Sequence, residues 1–484
     1  MNIQTPNWVK NAVFYQIFPD RFSIGKPPQN YPNYWQSSNL ESWESLPTPQ
    51  KYKGGNFWGV IDKLDYLQDL GINAIYFTPV FQSTCNHRYH THDYYQIDPL
   101  LGGNDAFLEF LKQAHKRDIK VVLDGVFNHV GRGFFFFNDI LENGPHSPWL
   151  DWFKIEGWPL SAYDGSYPAN YVSWVNNRAL PQFNHSNPQV KEYIMQVAEY
   201  WLNQGIDGWR LDVPYEIEEE GFWQEFRTRV KAVNPTAYIV GEIWTDSRQW
   251  LDGSQFDGVM NYLFTAPTMA FCGGDRILRE HVETPPYYPY PAIKAEEYQR
   301  KIEELLNLYD WEITLTQLNL LASHDTARLL TIAGGDIKTV ELCTLLLLTF
   351  PGAPSIYYGD EVGLEGALDP DSRRSFPDKK YWNQNLLNYH KKLIQLRQEY
   401  PALRQGKYQV LFAQEDIYIF SRTLNNEKII VAINTDIQPQ EVTLDFEGSI
   451  EKILFGQGSF MIDNHGVRSS LTINLSPRSG LIFL

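Results

Sequence analysis

Strand-like and helix-like stretches alternate along most of this chain, and eight such units constrain its fold more than any other feature. The strand candidates are AVFYQIFP (12–19), AIYFTPV (74–80), KVVLDGVF (120–127), GWRLD (208–212), AYIVGEI (237–243), GVMNYL (258–263), QLNLLASH (317–324) and SIYYGD (355–360). Helical periodicity falls between them at 60–70, 104–117, 187–204, 219–233, 296–309, 336–350 and 382–400. From Pro188, for example, Val190, Ile194, Val197, Ala198 and Trp201 share one face, with Asn187 placed to cap the start and Gly205 to close the end. Eight βα units predict a closed (β/α)8 barrel, an α/β fold, rather than an open doubly wound sheet.

Two regions break the rhythm before residue 400. Residues 128–186 are rich in Gly, Pro, Asn and aromatic rings, too long for a βα loop, and read as a small subdomain inserted after strand 3. Residues 272–312 also look inserted, with ETPPYYPYP followed by a charged helix. Beyond Pro401 the pattern changes to short alternating runs: YQVLFAQ, IYIFSRT, KIIVAIN, EVTLDF and SGLIFL. The expected organisation is a barrel over 1–127 and 187–400, the subdomain over 128–186, and a C-terminal antiparallel β-sandwich over 407–484.

Composition narrows the function. The chain has 484 residues, enough for one large domain and a smaller one. A formal net charge of −17, with no Lys/Arg-rich run, argues against nucleic acid and anionic membranes as partners. Fifteen Trp and 29 Tyr exceed what a core needs and suit stacking on sugar rings. The three cysteines, Cys85, Cys272 and Cys343, form no CxxC pair, so a disulfide framework is not expected and a cytoplasmic, reducing home is. No apolar run approaches the ~18 residues of a membrane span, and the N-terminus lacks a signal-peptide pattern. No GxGxxG follows the first strand and no GxxxxGK[ST] occurs, which leaves dinucleotide and P-loop readings without support.

Three carboxylates carry the chemistry. Asp212 closes GWRLD, Glu242 lies in YIVGEIW, and Asp325 lies in LLASHDTAR. Strand ends of a parallel barrel share one rim and one pocket. Retaining glycoside hydrolysis needs a nucleophilic carboxylate and a protonated carboxyl ~5–5.5 Å apart. Arg210 and Asp212 are two apart, hence on one face of a strand, and the Arg can hold the Asp charged. Glu242 stands beside Trp244, and apolar walls raise a Glu pKa toward that of an acid catalyst. Taken singly, each acid is a common cap or turn residue; the set, at matching positions of the barrel, carries the reading. NHRYHTHDYY adds His87, His90, His92 and Asp93. Its spacing permits zinc, but HExxH and CxxC are absent, and sugar-binding polar groups are the better expectation. His129, after strand 3, shares the rim.

DGVFNH (124–129), GWRLDV (208–213), GEIW (241–244) and SHDTAR (323–328) resemble, in order, the four sequence regions of the α-amylase superfamily of glycoside hydrolases. LPQFN (180–184) and HRYHTHDY look most like its neopullulanase/cyclomaltodextrinase/maltogenic-amylase branch. The resemblance implies Asp212 as nucleophile, Glu242 as general acid/base and Asp325 as transition-state stabiliser, with Asp124 a structural partner near the pocket floor. It implies substrate contacts from His87, Tyr89, His129, Arg210, His324, Asp369 and Arg373. The implied substrates are maltooligosaccharides, cyclodextrins or branched α-glucans, cleaved at α-1,4 and also α-1,6 links as in a debranching enzyme. A transglycosylase or isomerase on the same scaffold shares the covalent intermediate, and a non-catalytic binding protein is the remaining alternative, disfavoured because all three carboxylates are present. The departures shape further expectations. The barrel begins almost at Met1, so a dimer built by the branch's N-terminal domain is not expected. The branch's calcium loop is replaced by FSIGKPP and its GGD by Gly54, Gly55 and Asn56, so no cofactor and no metal are expected. Thr245 stands where a His often follows GEIW, and His90 replaces the acid of HxYDT.

Overall fold

The computed structural model describes residues 3–29, 40–283, 291–446, 450–465 and 468–484. Eight parallel strands form the core: β1 (Phe14–Ile17), β2 (Ala74–Phe77), β3 (Lys120–Gly125), β4 (Gly208–Leu211), β5 (Tyr238–Gly241), β6 (Gly258–Val259), β7 (Leu318–Leu320) and β8 (Ala353–Tyr357). They pair in the order β6-β5-β4-β3-β2-β1-β8-β7. A parallel bridge from Met260 to Leu318 joins the two edges and closes the barrel. The Asn261 N–H to Leu318 carbonyl bond of 2.8 Å and the Val259 N–H to Gln317 Oε1 bond of 2.9 Å reinforce that seam. These strands are buried on both faces, which is why they read as apolar runs rather than alternating ones.

Seven of the eight strands fall within the expected segments, β8 starts two residues earlier at Ala353, and the seventh is shorter than expected. It ends at Leu320 because Ser323 N–H turns onto Thr326 Oγ1 at 3.0 Å. Asp325 therefore sits on a turn beyond the strand, whereas Asp212 and Glu242 directly follow β4 and β5.

The outer helices are α1 (Phe57–Leu70), α2 (Gly103–His115), α3 (Pro188–Gln204), α4 (Phe222–Val233), α5 (Tyr262–Gly273), α6 (Ala295–Leu306), α7 (Ile337–Thr349) and α8 (Gln384–Glu399). In α3 the Asn187 side chain accepts the Gln189 N–H at 2.8 Å, a cap worth about 1 kcal/mol. Gly205 ends the helix at φ 112°, a conformation that glycine adopts without steric cost. The apolar face named from periodicity is buried throughout.

Within 272–312, residues 272 and 273 complete the barrel helix α5, and α6 is a second helix between β6 and β7 that braces the barrel against the C-terminal domain. Phe271 of α5 stacks on Tyr298 of α6, centroids 4.9 Å apart, and Tyr298 meets Tyr418 edge-on at 4.9 Å. Ala295 N–H donates to the Glu415 carbonyl at 2.8 Å. Most of ETPPYYPYP lies outside the described residues.

Between β3 and α3 the chain builds a separate aromatic layer around Phe134, Phe137, Phe153, Tyr171 and Phe183. A bridge from His129 to Gln182 ties it to the barrel rim.

The C-terminal strands are β9 (Lys407–Gln414), β10 (Ile417–Leu424), β11 (Glu427–Asn434), β12 (Gln440–Phe446), β13 (Ile453–Phe455), β14 (Gly458–His465), β15 (Arg468–Leu475) and β16 (Ser479–Phe483). They make a five-stranded sheet, β9-β10-β11-β16-β13, and a three-stranded sheet, β12-β15-β14. Ile419, Ile430, Leu471, Ile473 and Leu481 pack into one buried cluster that joins the two sheets. Among the described residues no helix is long and apolar enough to cross a membrane.

Candidate active site

Arg210 organises the site. It lies on β4, paired in register with Asp124 of β3 and Val240 of β5. Its Nη1 reaches both Asp124 oxygens at 2.9 Å and Asp212 Oδ1 at 3.0 Å. Its Nη2 lies 3.0 Å from Glu242 Oε2 in ion-pair contact, at an angle unsuited to a hydrogen bond. One guanidinium thus spans three carboxylates. The backbone fixes two of them: Asp212 N–H donates to the Gly125 carbonyl at 3.1 Å and Glu242 N–H to the Leu211 carbonyl at 2.9 Å. Both acids therefore continue the barrel ladder past the strand ends.

Val213, next to Asp212, sits at φ 36°, ψ 51°, a strained conformation for a β-branched residue. It places its N–H 3.2 Å from Glu242 Oε2. Trp244 Nε1 donates to Glu242 Oε1 at 3.2 Å.

Asp124 and Arg210 are fully buried, and Asp212 and Glu242 are 7 and 6% exposed. Burial pushes Asp124 up to about 6 and raises Asp212, Glu242 and Asp325, and Arg210 opposes each rise. Three buried carboxylates around one cation cannot all be ionised cheaply, so the cluster retains a proton near neutrality. Asp124 and Asp212 receive hydrogen bonds from Arg210, whereas Glu242 receives none from it. Arg210 thus favours the ionised form of Asp212 through a hydrogen bond, while Glu242 is held by the Val213 and Trp244 N–H groups. Asp325, the most exposed member at 27%, is held by Arg373 Nη2 at 3.6 Å and lies 3.2 Å from His324 Nε2.

Of the other residues named from sequence, Tyr89 stacks on His324, centroids 5.6 Å apart at 9°, and its hydroxyl donates to Asp124 Oδ2 at 3.1 Å. Arg373 pairs with Asp369 at 3.0 Å and reaches the His324 carbonyl at 3.0 Å. His87 accepts the Tyr89 backbone N–H at 3.2 Å. His129 is fully buried, and burial lowers it to about 3, so it stays neutral. Asn128 Oδ1 is engaged by Gln182, which turns Asn128 Nδ2 toward His129 Nδ1 at 3.3 Å. His129 Nε2 must then carry the hydrogen, and it has no partner among the described residues. An unpartnered buried N–H at this rim is placed to bind a ligand hydroxyl. Nine of the ten sequence-named residues are thus linked by contacts to Arg210, while His129 bonds instead within the rim, to Asn128, and stacks on Trp174.

Three contributors went unnamed: Gln16 bonds His324 Nδ1 at 2.8 Å, Tyr76 donates to Asp124 at 3.1 Å, and Trp174 stacks on His129 with centroids 4.9 Å apart. Gln16 did leave a signal: it is a polar residue inside an apolar parallel strand.

The donors that would serve a calcium ion are already engaged among the described residues. Both Asp20 oxygens accept backbone N–H groups, from Lys53 at 2.8 Å and Gly54 at 3.1 Å. Asn56 Oδ1 accepts from Gly25 and Gly59, and its amide donates to the Gly25 carbonyl. The Lys53 ammonium itself fills an oxygen cage made by the Ser42 and Ser45 carbonyls, Ser45 Oγ and Glu41. The described donor set does not fit calcium.

Paired buried carboxylates on the C-terminal rim of a (β/α)8 barrel, bound to one Arg, define a glycoside-hydrolase type of site. The chain belongs to the α-amylase family: the α-amylase catalytic-domain model matches residues 16–381, and the α-amylase C-terminal-domain model matches 406–480. Neopullulanase 2 from Thermoactinomyces vulgaris is 40% identical over 488 residues, which cover 99% of this chain and 78% of that protein. The debranching enzyme from Nostoc punctiforme is 64% identical and superposes over 100% of both chains with a TM-score of 0.93. The cyclic α-maltosyl-(1→6)-maltose hydrolase from Arthrobacter globiformis is 36% identical, with a TM-score of 0.84 over 91% of this chain and 94% of that one.

Proposed function

We propose that the protein is a retaining hydrolase of α-glucans that opens α-1,4 and α-1,6 glucosidic bonds. The single observation that carries the reading is Arg210, 3.0 Å from both Asp212 and Glu242. Glu242 gives its proton to the glycosidic oxygen as Asp212 attacks the anomeric carbon, and the leaving sugar departs with the proton. The glycosyl ester on Asp212 is then hydrolysed by water, which Glu242, now ionised, deprotonates. Asp325 sits opposite as a carboxylate that steadies the positive charge developing on the ring. His129 and His324, both neutral through burial, and Arg373 bind hydroxyl groups.

Neopullulanase, debranching enzyme and (1→6)-linked maltose hydrolase among the relatives support α-1,6 cleavage alongside α-1,4. The free cysteines, two of which, Cys272 and Cys343, adjoin in the core, support the reading of a reducing compartment. The test is product analysis on a branched maltooligosaccharide, with Glu242→Gln as control. Release of linear chains by the wild type and not by the variant is expected. Survival of every branch point, with only shorter α-1,4 fragments, removes the debranching half of the proposal.

A further inference from the structure

The polar stretch after β2 brings together three side chains that the mechanism above does not use as a set. Cys85, His87 and His90 each present one donor atom, and these atoms all lie within 4.8 Å of one another. Cys85 Sγ is 3.5 Å from His87 Nδ1, and the His87 and His90 rings meet edge-on with centroids 5.2 Å apart. Zinc held at ~2.3 Å from sulfur and ~2.0–2.1 Å from nitrogen separates neighbouring ligands by about 3.5 Å, so the Cys85–His87 pair already stands at ligand spacing.

Ser83 Oγ stands 3.2 Å from the sulfur, and the Arg88 N–H closes the turn on the Cys85 carbonyl at 3.2 Å. Arg88 stands at φ 61° in the turn that brings the chain back to His90. All three residues are half-buried, so an ion can enter from solvent. The zinc signatures HExxH and CxxC are absent because the ligands fall in a C-x-H-x-x-H spacing on one tight turn.

We propose that Cys85, His87 and His90 form a binding site for a thiophilic divalent metal ion of the zinc class, and that its occupancy inhibits the hydrolase. On binding, Cys85 releases its thiol proton to solvent, the metal takes the lone pairs of sulfur and two imidazoles, and water completes the fourth position. His87 Nδ1 now accepts the Tyr89 backbone N–H at 3.2 Å. A metal taking that lone pair unfastens Tyr89, the ring stacked on His324. It also adds positive charge near Arg373, which His87 already senses.

The test uses the full chain, treated with chelator and titrated with Co²⁺. Expected is a thiolate-to-cobalt charge-transfer absorption that saturates at one equivalent and is lost in Cys85→Ser. Zn²⁺ is expected to inhibit the wild type, reversibly by chelator. Cys85→Ser should keep ordinary metal-free activity, which shows that it folds, yet need at least about tenfold more Zn²⁺ for the same inhibition. No charge-transfer band at any cobalt level overturns the site. Equal zinc sensitivity of Cys85→Ser and wild type overturns its role in inhibition, as does a band without inhibition.

Discussion

Gln16, in the first barrel strand, places Nε2 2.8 Å from Nδ1 of His324, in the turn after the seventh. The amide donates, so His324 accepts at Nδ1 and carries its hydrogen on Nε2. That hydrogen faces the Tyr89 hydroxyl and Asp325 Oδ2. Tyr89 in turn donates to Asp124, and Asp124 is clamped by Arg210. A chain of donors thus runs from one side of the barrel to the acid cluster, and Gln16 sets its direction. Burial, Arg373 and Arg210 all depress the His324 pKa, so the ring is neutral and its tautomer matters.

Gln16→Leu should therefore lower kcat by about tenfold while leaving the fold intact, as loss of a tautomer-fixing partner does elsewhere. Gln16→Glu should do something different. A carboxylate at that point invites a proton onto Nδ1 and makes His324 cationic, so activity should become more pH-dependent in the acid range. Identical pH profiles for wild type and Gln16→Glu would show that the contact is only structural.

Trp244 and Glu242 give a second check, on the acid itself. Burial raises the Glu242 pKa and the Trp244 hydrogen bond lowers it. Loss of the Glu242 proton should produce the alkaline limb of kcat/KM. Trp244→Phe removes the bond that favours the charged form, so that limb should move to higher pH. Glu242→Gln should cost about 10²- to 10⁴-fold in kcat on unactivated substrates. An alkaline limb that shifts down in Trp244→Phe, or persists unchanged in residual Glu242→Gln activity, would assign the limb to another group.

Much of this was legible in advance, for reasons that particular residues illustrate. The barrel strands announced themselves because burial on both faces demands apolar runs such as AIYF. Arg210 and Asp212 were paired from strand periodicity alone. The helix Tyr262–Gly273 was not seen: nearly all of it is buried and it contains Pro267, so it shows no amphipathic stripe. Strands β13, β14 and β15 were missed because SFMIDNH and RSSLTINL mix polar and apolar residues, and side chains such as Met461, 55% exposed, face solvent. Trp174 escaped because stacking on His129 depends on how a long segment folds back over the rim, and no local periodicity records that. Cys272 and Cys343 are 71 positions apart by number, yet adjoining helices bring them together.

Lys53 and its oxygen cage predict how the protein responds to chelators. The ammonium is fully buried and bonded to the Ser42 and Ser45 carbonyls at 2.6 and 2.7 Å. A resident cation of this kind leaves no need for calcium at that place. Incubation with EDTA should leave activity undiminished. Lys53→Met should lower the thermal midpoint, since it strips the donor from buried oxygens, and added calcium should not restore it. Inactivation by EDTA with recovery on calcium addition would refute the assignment.

Arg397 and Arg422 provide the last test, on how the two domains are joined. Neither has a carboxylate within ion-pair distance among the described residues, and burial lowers the pKa of both. Each is instead wrapped in backbone carbonyls. Arg397 donates to Leu348 at 2.9 Å, Phe350 at 3.1 Å, Leu403 at 3.0 Å and to Gly352. Arg422 donates to Thr349 at 2.5 Å, Leu403 at 2.8 Å and Gly406 at 2.9 Å. Helix ends of the barrel and the first strands of the sandwich are thus fastened through two guanidinium groups. Removing either leaves buried acceptors without donors, at about 1–3 kcal/mol for each group left unpaired. Arg397→Met should therefore cost about 3 kcal/mol or more in denaturant unfolding, far beyond its loss of apolar packing. The two residues share the Leu403 carbonyl and repel each other. The double variant should consequently lose less than the sum of the single losses, a coupling that a double-mutant cycle reads directly. Strict additivity would mean that the two arginines act as independent pins rather than as one seam.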